Sequence, residues 1–417
     1  MWEASPNPSV RWVQLLLLLV LTAFVGAMWG LERTTVPLIA RQEFGITSPT
    51  ITLSFIVGFG LTKTFANAFA GGFMDRVGRR RVLILGWAIG LPVPFLIIWA
   101  PHWEWIVAAN LLLGINQGLC WTATILMMMD LMGEKRRGLS TGLNESVGYS
   151  GVAITTLATG FIAASFAPRP HPFFLGIGLA TIGLLLSVLF VRDTIHYSQK
   201  EATQNPERIG PRSFWGSFGA SLRDRTLLSC NQAGLVTKIN DAAVWGLFPL
   251  FLASQGLDVV RIGLVAAIYP QVWGVTQLAT GFLSDHVGRK PLIVVGMVVQ
   301  GLGISLAASA GGLTVWIGSA ILLGIGTAAV YPTLIAAVGD SSPPMRRASA
   351  IGIYRWFRDW GFVVGGLLAG LVAEAQGFHA AFLVIAGINV VSAMLVAGFM
   401  TEPSRARGFV RSSTDVF

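Results

Sequence analysis

The sequence predicts an all-α polytopic membrane protein with 12 transmembrane helices in two pseudo-symmetric six-helix bundles. Three observations predict it. Of 417 residues, 53% are apolar and only 12% are charged, about half the charged share of a soluble globular chain. The apolar residues gather into a dozen runs, each close to or above the roughly 20 residues that a helix needs to cross a bilayer. The charged punctuation of the first half also returns in the second at a constant offset of 210 residues.

Runs bounded by Pro, Gly and charged clusters place the spans at 12–40, 49–71, 80–100, 104–130, 138–167, 172–191, 226–254, 260–283, 290–310, 313–338, 347–374 and 378–400. The first continues from Trp12 through Ile39 with no small-residue cleavage site after a short apolar core, so it reads as a span and not as a signal peptide. Several runs exceed the length needed, which predicts tilt, bends at Gly and protruding ends. The sixth is short.

Both termini are expected in the cytoplasm, because that orientation puts 21 of the 29 Lys and Arg residues on one side. They cluster at Arg76 and Arg79 to Arg81, at Lys135 to Arg137, in the segment from Arg192 to Arg225, at Arg289 and Lys290, at Arg346 and Arg347, and at Arg405, Arg407 and Arg411; Arg11 completes the set. Only Arg41, Arg169 and Arg261 fall on the other side. Topology thus accounts for the +9 net charge, and no nucleic-acid role is implied. The long polar segment divides the chain into a first bundle at 1–191, a cytoplasmic linker at 192–225 and a second bundle at 226–417. Within the linker, Phe214 to Leu222 has the pattern of an amphipathic helix on the inner leaflet.

The repeat is carried by charged loops. GGFMDRVGRRR from Gly71 to Arg81 corresponds to GFLSDHVGRKP from Gly281 to Pro291, with Asp75 and Asp285 in register. Asp130 precedes Arg136 and Arg137 as Asp340 precedes Arg346 and Arg347. Duplicated halves of this kind are related by an axis along the membrane normal. With Gly71, Asp75, Arg76, Gly78, Arg79 and Arg80 in the loop after span two, the chain resembles the major facilitator superfamily over essentially its whole length. The resemblance implies two six-helix bundles around a cavity that opens alternately to each side. It implies that Gly71, Asp75, Arg76, Gly78, Arg79 and Asp130 form a conformational interlock, with Asp285, Arg289 and Asp340 as a weaker counterpart. Physically, Gly78 permits a positive φ, the Asp75 carboxylate is expected on the N-terminal end of a neighbouring helix, and Arg79 is placed to pair with Asp130. Two hallmarks of drug/proton antiporters are missing. Gly114 stands where Arg is common three residues before Gln117-Gly118, and Tyr149 stands where a Gly-Pro pair would put Pro.

Nine ionisable residues lie inside predicted spans: Glu32, Arg33, Lys63, Glu145, Lys238, Asp241, Arg355, Arg358 and Asp359. Each costs about 2.5–3.5 kcal/mol near the bilayer centre even on the lenient scale, so they are expected to line the cavity or to pair. Their sum is +1. Neighbours on a helix point about 100° apart, so Glu32 and Arg33 cannot both face one cavity. A carboxyl out of water takes a proton readily, which makes Glu32 a candidate proton carrier, with an ion pair to a cation such as Lys63 as the alternative. Lys63 sits in GFGLTKT, which fails as a phosphate-binding loop because Thr62 replaces the required Gly; it either contacts substrate or snorkels toward the interface. Glu145 and Arg355 are 210 residues apart and form a candidate pair between spans five and eleven. Arg355 and Asp359 are i, i+4 neighbours on one face, and Lys238 and Asp241 are i, i+3. Arg355 and Arg358 amid Tyr354, Trp356, Phe357 and Trp360 suit a carboxylate or phosphate on a partly apolar solute.

The two cysteines, Cys120 and Cys230, lie in apolar runs and make no disulfide framework. The histidines, His102, His171, His196, His286 and His379, all fall in loops or at span ends, so no metal, haem or cofactor is indicated. No nucleophile–base constellation suggests an enzyme. The expected function is alternating-access secondary transport of a small organic anion or acidic amphipathic compound. Coupling to protons is assigned to Glu32 or Glu145, in the plasma (inner) membrane and with no obligate protein partner. The alternative is proton-coupled efflux of lipophilic or cationic drugs; a transporter-like receptor is a third class.

Overall fold

The computed structural model describes residues 8–133, 136–197, 214–309, 311–342 and 347–402. Lys135, Arg346, Arg405, Arg407, Arg411 and the part of the expected linker from 198 to 213 lie outside the described residues. The remainder is helical: α1 (Pro8–Gln42), α2 (Pro49–Thr52), α3 (Ser54–Val77), α4 (Arg79–Gly90), α5 (Pro92–Ile98), α6 (Trp103–Met132), α7 (Arg137–Ser165), α8 (His171–Leu189), α9 (Phe214–Arg223), α10 (Arg225–Ser254), α11 (Val259–Val287), α12 (Arg289–Ser309), α13 (Leu313–Asp340) and α14 (Arg347–Phe399).

Local chemistry explains the breaks. Span two is α2 and α3 in series; Ser48 caps α2 by accepting from the Ile51 amide, and Pro49 fills the first turn, where a missing N–H costs nothing. Span three is α4 and α5, interrupted at Leu91 just before Pro92. Asp224 and Asp258 cap α10 and α11 through the amides of Leu227 and Arg261. Helix α14 is 53 residues long and contains Gly377 at φ +86°. At about 1.5 Å per residue it would be more than twice the bilayer thickness if straight. It is therefore two spans that reverse at Gly377, where only Gly tolerates the backbone. Eleven helical segments among the described residues are long and apolar enough to cross a membrane; with α14 counted as two, the predicted number of twelve is reached. The protein is an integral, multi-pass membrane protein.

In the first half, α1 packs on α6 and α7, and α3 and α4 pack on α6; in the second, α10 packs on α14, α12 on α13 and α11 on α13. Between the halves, α7 lies along α11, α3 along α14, and α1 crosses α10. Lipid is as apolar as these side chains, so helix association rests on close packing and hydrogen bonds rather than on exclusion of water. Glycine provides that closeness at the seams. A Cβ on Gly60 would sit 2.5 Å from the Phe362 Cβ, and one on Gly263 would sit 3.1 Å from the Gly160 Cα. The main apolar core runs through both halves, from Leu15 on α1 to Ala386 on α14. A separate cluster around Leu227, Ile293, Leu334 and Val396 occupies the basic-face end of the second half. The short helix α9 turns Phe218 onto Phe357 (ring centroids 5.4 Å) and Trp356 (5.5 Å), so span eleven is part of its docking surface.

Candidate functional site

Where α1, α3, α10 and α14 meet at mid-length, the helical periodicity stacks charge on aromatic surface. Trp29 and Arg33 are one turn apart on α1, and the guanidinium lies 4.8 Å from the Trp29 ring. On α10, Lys238, Asp241 and Trp245 occupy successive turns of one face. Lys63 of α3 comes within 4.7 Å of the same Trp29 ring, and Lys238 within 5.6 Å. Phe59, Phe362 and Trp245 close the group around Trp29, with centroids 5.7, 5.9 and 5.6 Å away. Tyr149 and Trp273 extend it on the α7–α11 side. All of these rings are buried.

Within this box Asp241 is bound by two cations. Its Oδ1 pairs with Arg33 Nη2 from the other half, and its Oδ2 lies 2.9 Å from Lys238 Nζ. Lys238 Nζ is also 3.5 Å from the Tyr149 hydroxyl. Lys63, by contrast, makes no salt bridge with any described residue; beyond Trp29 its ammonium faces the rings of Phe59 at 5.0 Å and Phe362 at 5.3 Å. The expected alternative of a Glu32–Lys63 pair is not formed. Glu32 and Arg33 do diverge as the 100° step requires. Arg33 points to α10, whereas Glu32 lies buried beside Asn110 of α6 with both carboxylate oxygens lacking a hydrogen-bond partner.

A second charged group is centred on α14. Arg358 holds its neighbour Asp359 through Nε at 2.8 Å and Nη2 at 2.7 Å, and donates from Nη1 to the Tyr331 hydroxyl at 2.8 Å. Asp359 Oδ2 accepts from Asn67 of α3, a further polar link between the halves, and Asn67 Oδ1 accepts from Thr122. The i, i+4 pairing of Arg355 with Asp359 therefore does not occur: Asp359 is turned toward α3, on a side of α14 where Arg358 holds it. Nor do Glu145 and Arg355 pair. Span five packs on span eight and span eleven on span two, so the two residues approach the centre from different seams. Glu145 Oε1 instead accepts from Trp121 Nε1 at 2.9 Å, while its Oε2 and the Arg355 Nε have no partner.

At the basic face, Gly78 has φ +99° and Gly288 φ +106°. Arg79 meets Asp130 at 2.5 Å, and Thr194 donates to the same carboxylate. Arg289 contacts Asp285 at 2.7 Å and Asp340 at 3.0 Å. Gly71 makes no close side-chain approach, and Asp75 and Arg76 are exposed at the end of α3. Asp75 does not cap the next helix. The carboxylate on the N-terminus of α4 is Asp193, which accepts from the amides of Arg79 at 3.4 Å and Arg80 at 3.2 Å. Glu402 does the same for α12, accepting from Arg289 at 2.6 Å and Lys290 at 2.9 Å. Asp193 and Glu402 were readable as the first carboxylates after the last span of each half, 209 residues apart. The aromatic box had a signal too, in the one-turn spacing of Trp29 with Arg33 and of Asp241 with Trp245.

A family model described as Major Facilitator Superfamily matches residues 18–236 and 232–416. The chain is 24% identical over 414 residues to multidrug resistance protein MdtG of Klebsiella pneumoniae, covering 96% of this chain and 97% of that protein. It is 25% identical over 406 residues to MdtG of Enterobacter lignolyticus, covering 94% and 93%. Among solved structures, nucleoside transporter NupG superposes with a TM-score of 0.73 at 15% identity, over 93% of this chain and 98% of that one.

Proposed function

The chain belongs to the Major Facilitator Superfamily and is a membrane transporter, and from that premise we propose that it carries small organic anions or acidic amphipathic compounds by proton-coupled alternating access. The observation that carries this reading is Lys63, an ammonium buried among rings that no carboxylate of the described residues contacts directly. A buried, unpaired charge is costly, and an acid group on a partly aromatic solute would relieve that cost while its skeleton contacts the box. Arg358 adjoins the box through the Tyr331 ring, which it shares with Lys238, and Arg355 is proposed to act with it. Glu32 and Glu145, each with at least one oxygen lacking a partner, are the proposed proton sites: a proton on either leaves the centre more positive and so favours anion entry. Bundles at 1–191 and 226–417 would rock about the seams, with the two basic-face junctions as the interlock, both termini in the cytoplasm and the chain in the inner membrane.

Thermal stabilisation of the detergent-purified protein tests this, because a ligand that binds only the folded state raises Tm. Aromatic carboxylates should stabilise it, and Lys63→Met, Arg355→Ala or Arg358→Ala should reduce the effect. If all three variants respond like the parent, the anion site is wrong. A second reading, efflux of lipophilic or cationic drugs, is favoured by the name of the curated relatives and by the partnerless oxygens of Glu32 and Glu145. It predicts stabilisation by lipophilic cations that is lost in Glu32→Gln or Glu145→Gln.

A further inference from the structure

Asp241 is the only carboxylate that the described residues bring into contact with any of the three cations around Trp29. It is fully buried, and its two oxygens are divided between cations of opposite halves, Arg33 on α1 and Lys238 on its own helix. Several buried donors around it are unmet. Arg33 Nη1 and the indole N–H groups of Trp29, Trp245 and Trp273 are buried without an acceptor. Four donors with nothing to donate to form a site for a ligand bearing several acceptor atoms, since a buried donor left unmade costs more than a made bond gains.

We infer that Asp241 is an internal substitute for the acid group of the substrate: it occupies Arg33 when the carrier is empty and is displaced from Arg33 when a substrate carboxylate enters. The inference rests on the organic-anion reading and specifies how that site is regulated. Displacement does not strand Asp241, because Lys238 three residues away keeps its second oxygen. Arg33 exchanges one carboxylate for another, so neither Arg33 nor Asp241 is left bare at any stage. The exchange also removes the direct Arg33–Asp241 link between the halves, so binding and release of the substrate make and break a bond across the seam. An empty carrier passes the closed conformation with Arg33 neutralised from within.

The test compares benzoate, salicylate and 1-naphthoate binding to the purified full chain and to Asp241→Asn by isothermal titration, with benzamide and benzylamine as controls. Removing the competing carboxylate should tighten binding of the acids by at least about tenfold and leave benzamide unchanged. Equal or weaker acid binding in Asp241→Asn, with the parent binding normally, overturns the exchange and leaves the anion site standing. If neither protein binds any of the acids while both unfold cooperatively, the anion reading itself fails, and benzylamine binding would favour the cationic alternative. Should Asp241→Asn not fold, difference infrared spectra of the parent with isotope-labelled benzoate distinguish ligand from protein carboxylates. A protein carboxylate band that shifts on binding supports displacement, and one that stays fixed overturns it.

Discussion

The two basic-face junctions share a motif but not an environment. At the α3–α4 junction the ion pair is sunk in the protein, with Arg79 5% and Asp130 9% exposed, and Thr194 gives the carboxylate a further hydrogen bond. At the α11–α12 junction Arg289 is 16% and Asp340 41% exposed, and Arg289 divides itself between Asp340 and Asp285. Duplication preserved the residues that form the turn, whereas the depth of the pair was set by what packs over it. A pair in the dielectric of the interior and one at the surface differ several-fold in consequence when a partner is removed.

That contrast can be broken by substitution, read as unfolding free energy or Tm in detergent. Arg79→Ala removes the cation from a buried carboxylate and should cost about 3–5 kcal/mol; a loss no greater than that of the matching Arg289→Ala would erase the distinction between the junctions. Gly78→Ala comes next, at about 2–3 kcal/mol. A side chain at positive φ costs about 1–2 kcal/mol, and this one would also meet Asp193 Oδ2 at 2.6 Å. Gly288→Ala pays the backbone term with a looser approach, 3.0 Å to Glu402 Oε1, and should fall about 1 kcal/mol below it. Asp193→Ala and Glu402→Ala each remove an anion from a helix N-terminus and should cost about 1 kcal/mol, equal within error if the two clamps are true counterparts. Arg289→Ala is the smallest, below about 1 kcal/mol, and high salt should shrink it further. If salt leaves it unchanged, the second pair is less exposed to solvent than its geometry indicates.

The spans were legible because membrane crossing leaves a mark in composition that needs no partner to be read: about 20 apolar residues, a charged loop, and again. The junctions were legible because their charges are local and repeated. Pairing at the centre was not. Arg33 and Asp241 are 208 residues apart, and nothing in either local sequence states that α1 crosses α10. Local rules even pointed elsewhere. The i, i+4 rule favoured Arg355 with Asp359, but Asn67 on α3 draws Asp359 to a side of α14 that Arg358 reaches. Repeat symmetry favoured Glu145 with Arg355, but symmetry-related positions face symmetry-related neighbours and not each other. The carboxylates on α4 and α12 were missed for a related reason. Asp75 is close to the turn in sequence, whereas Asp193 reaches it only after four further spans have folded back.

The reversal at Gly377 has a mechanical consequence. It joins the last two spans through a single residue, leaving no slack between them. The first arm of that hairpin carries Asp359, tied to α3 through Asn67, and the chain just beyond the second arm carries Glu402, tied to the start of α12. A tilt of the eleventh span at mid-membrane would thereby be carried to the far end of the twelfth as the swing of a lever whose fulcrum is a glycine.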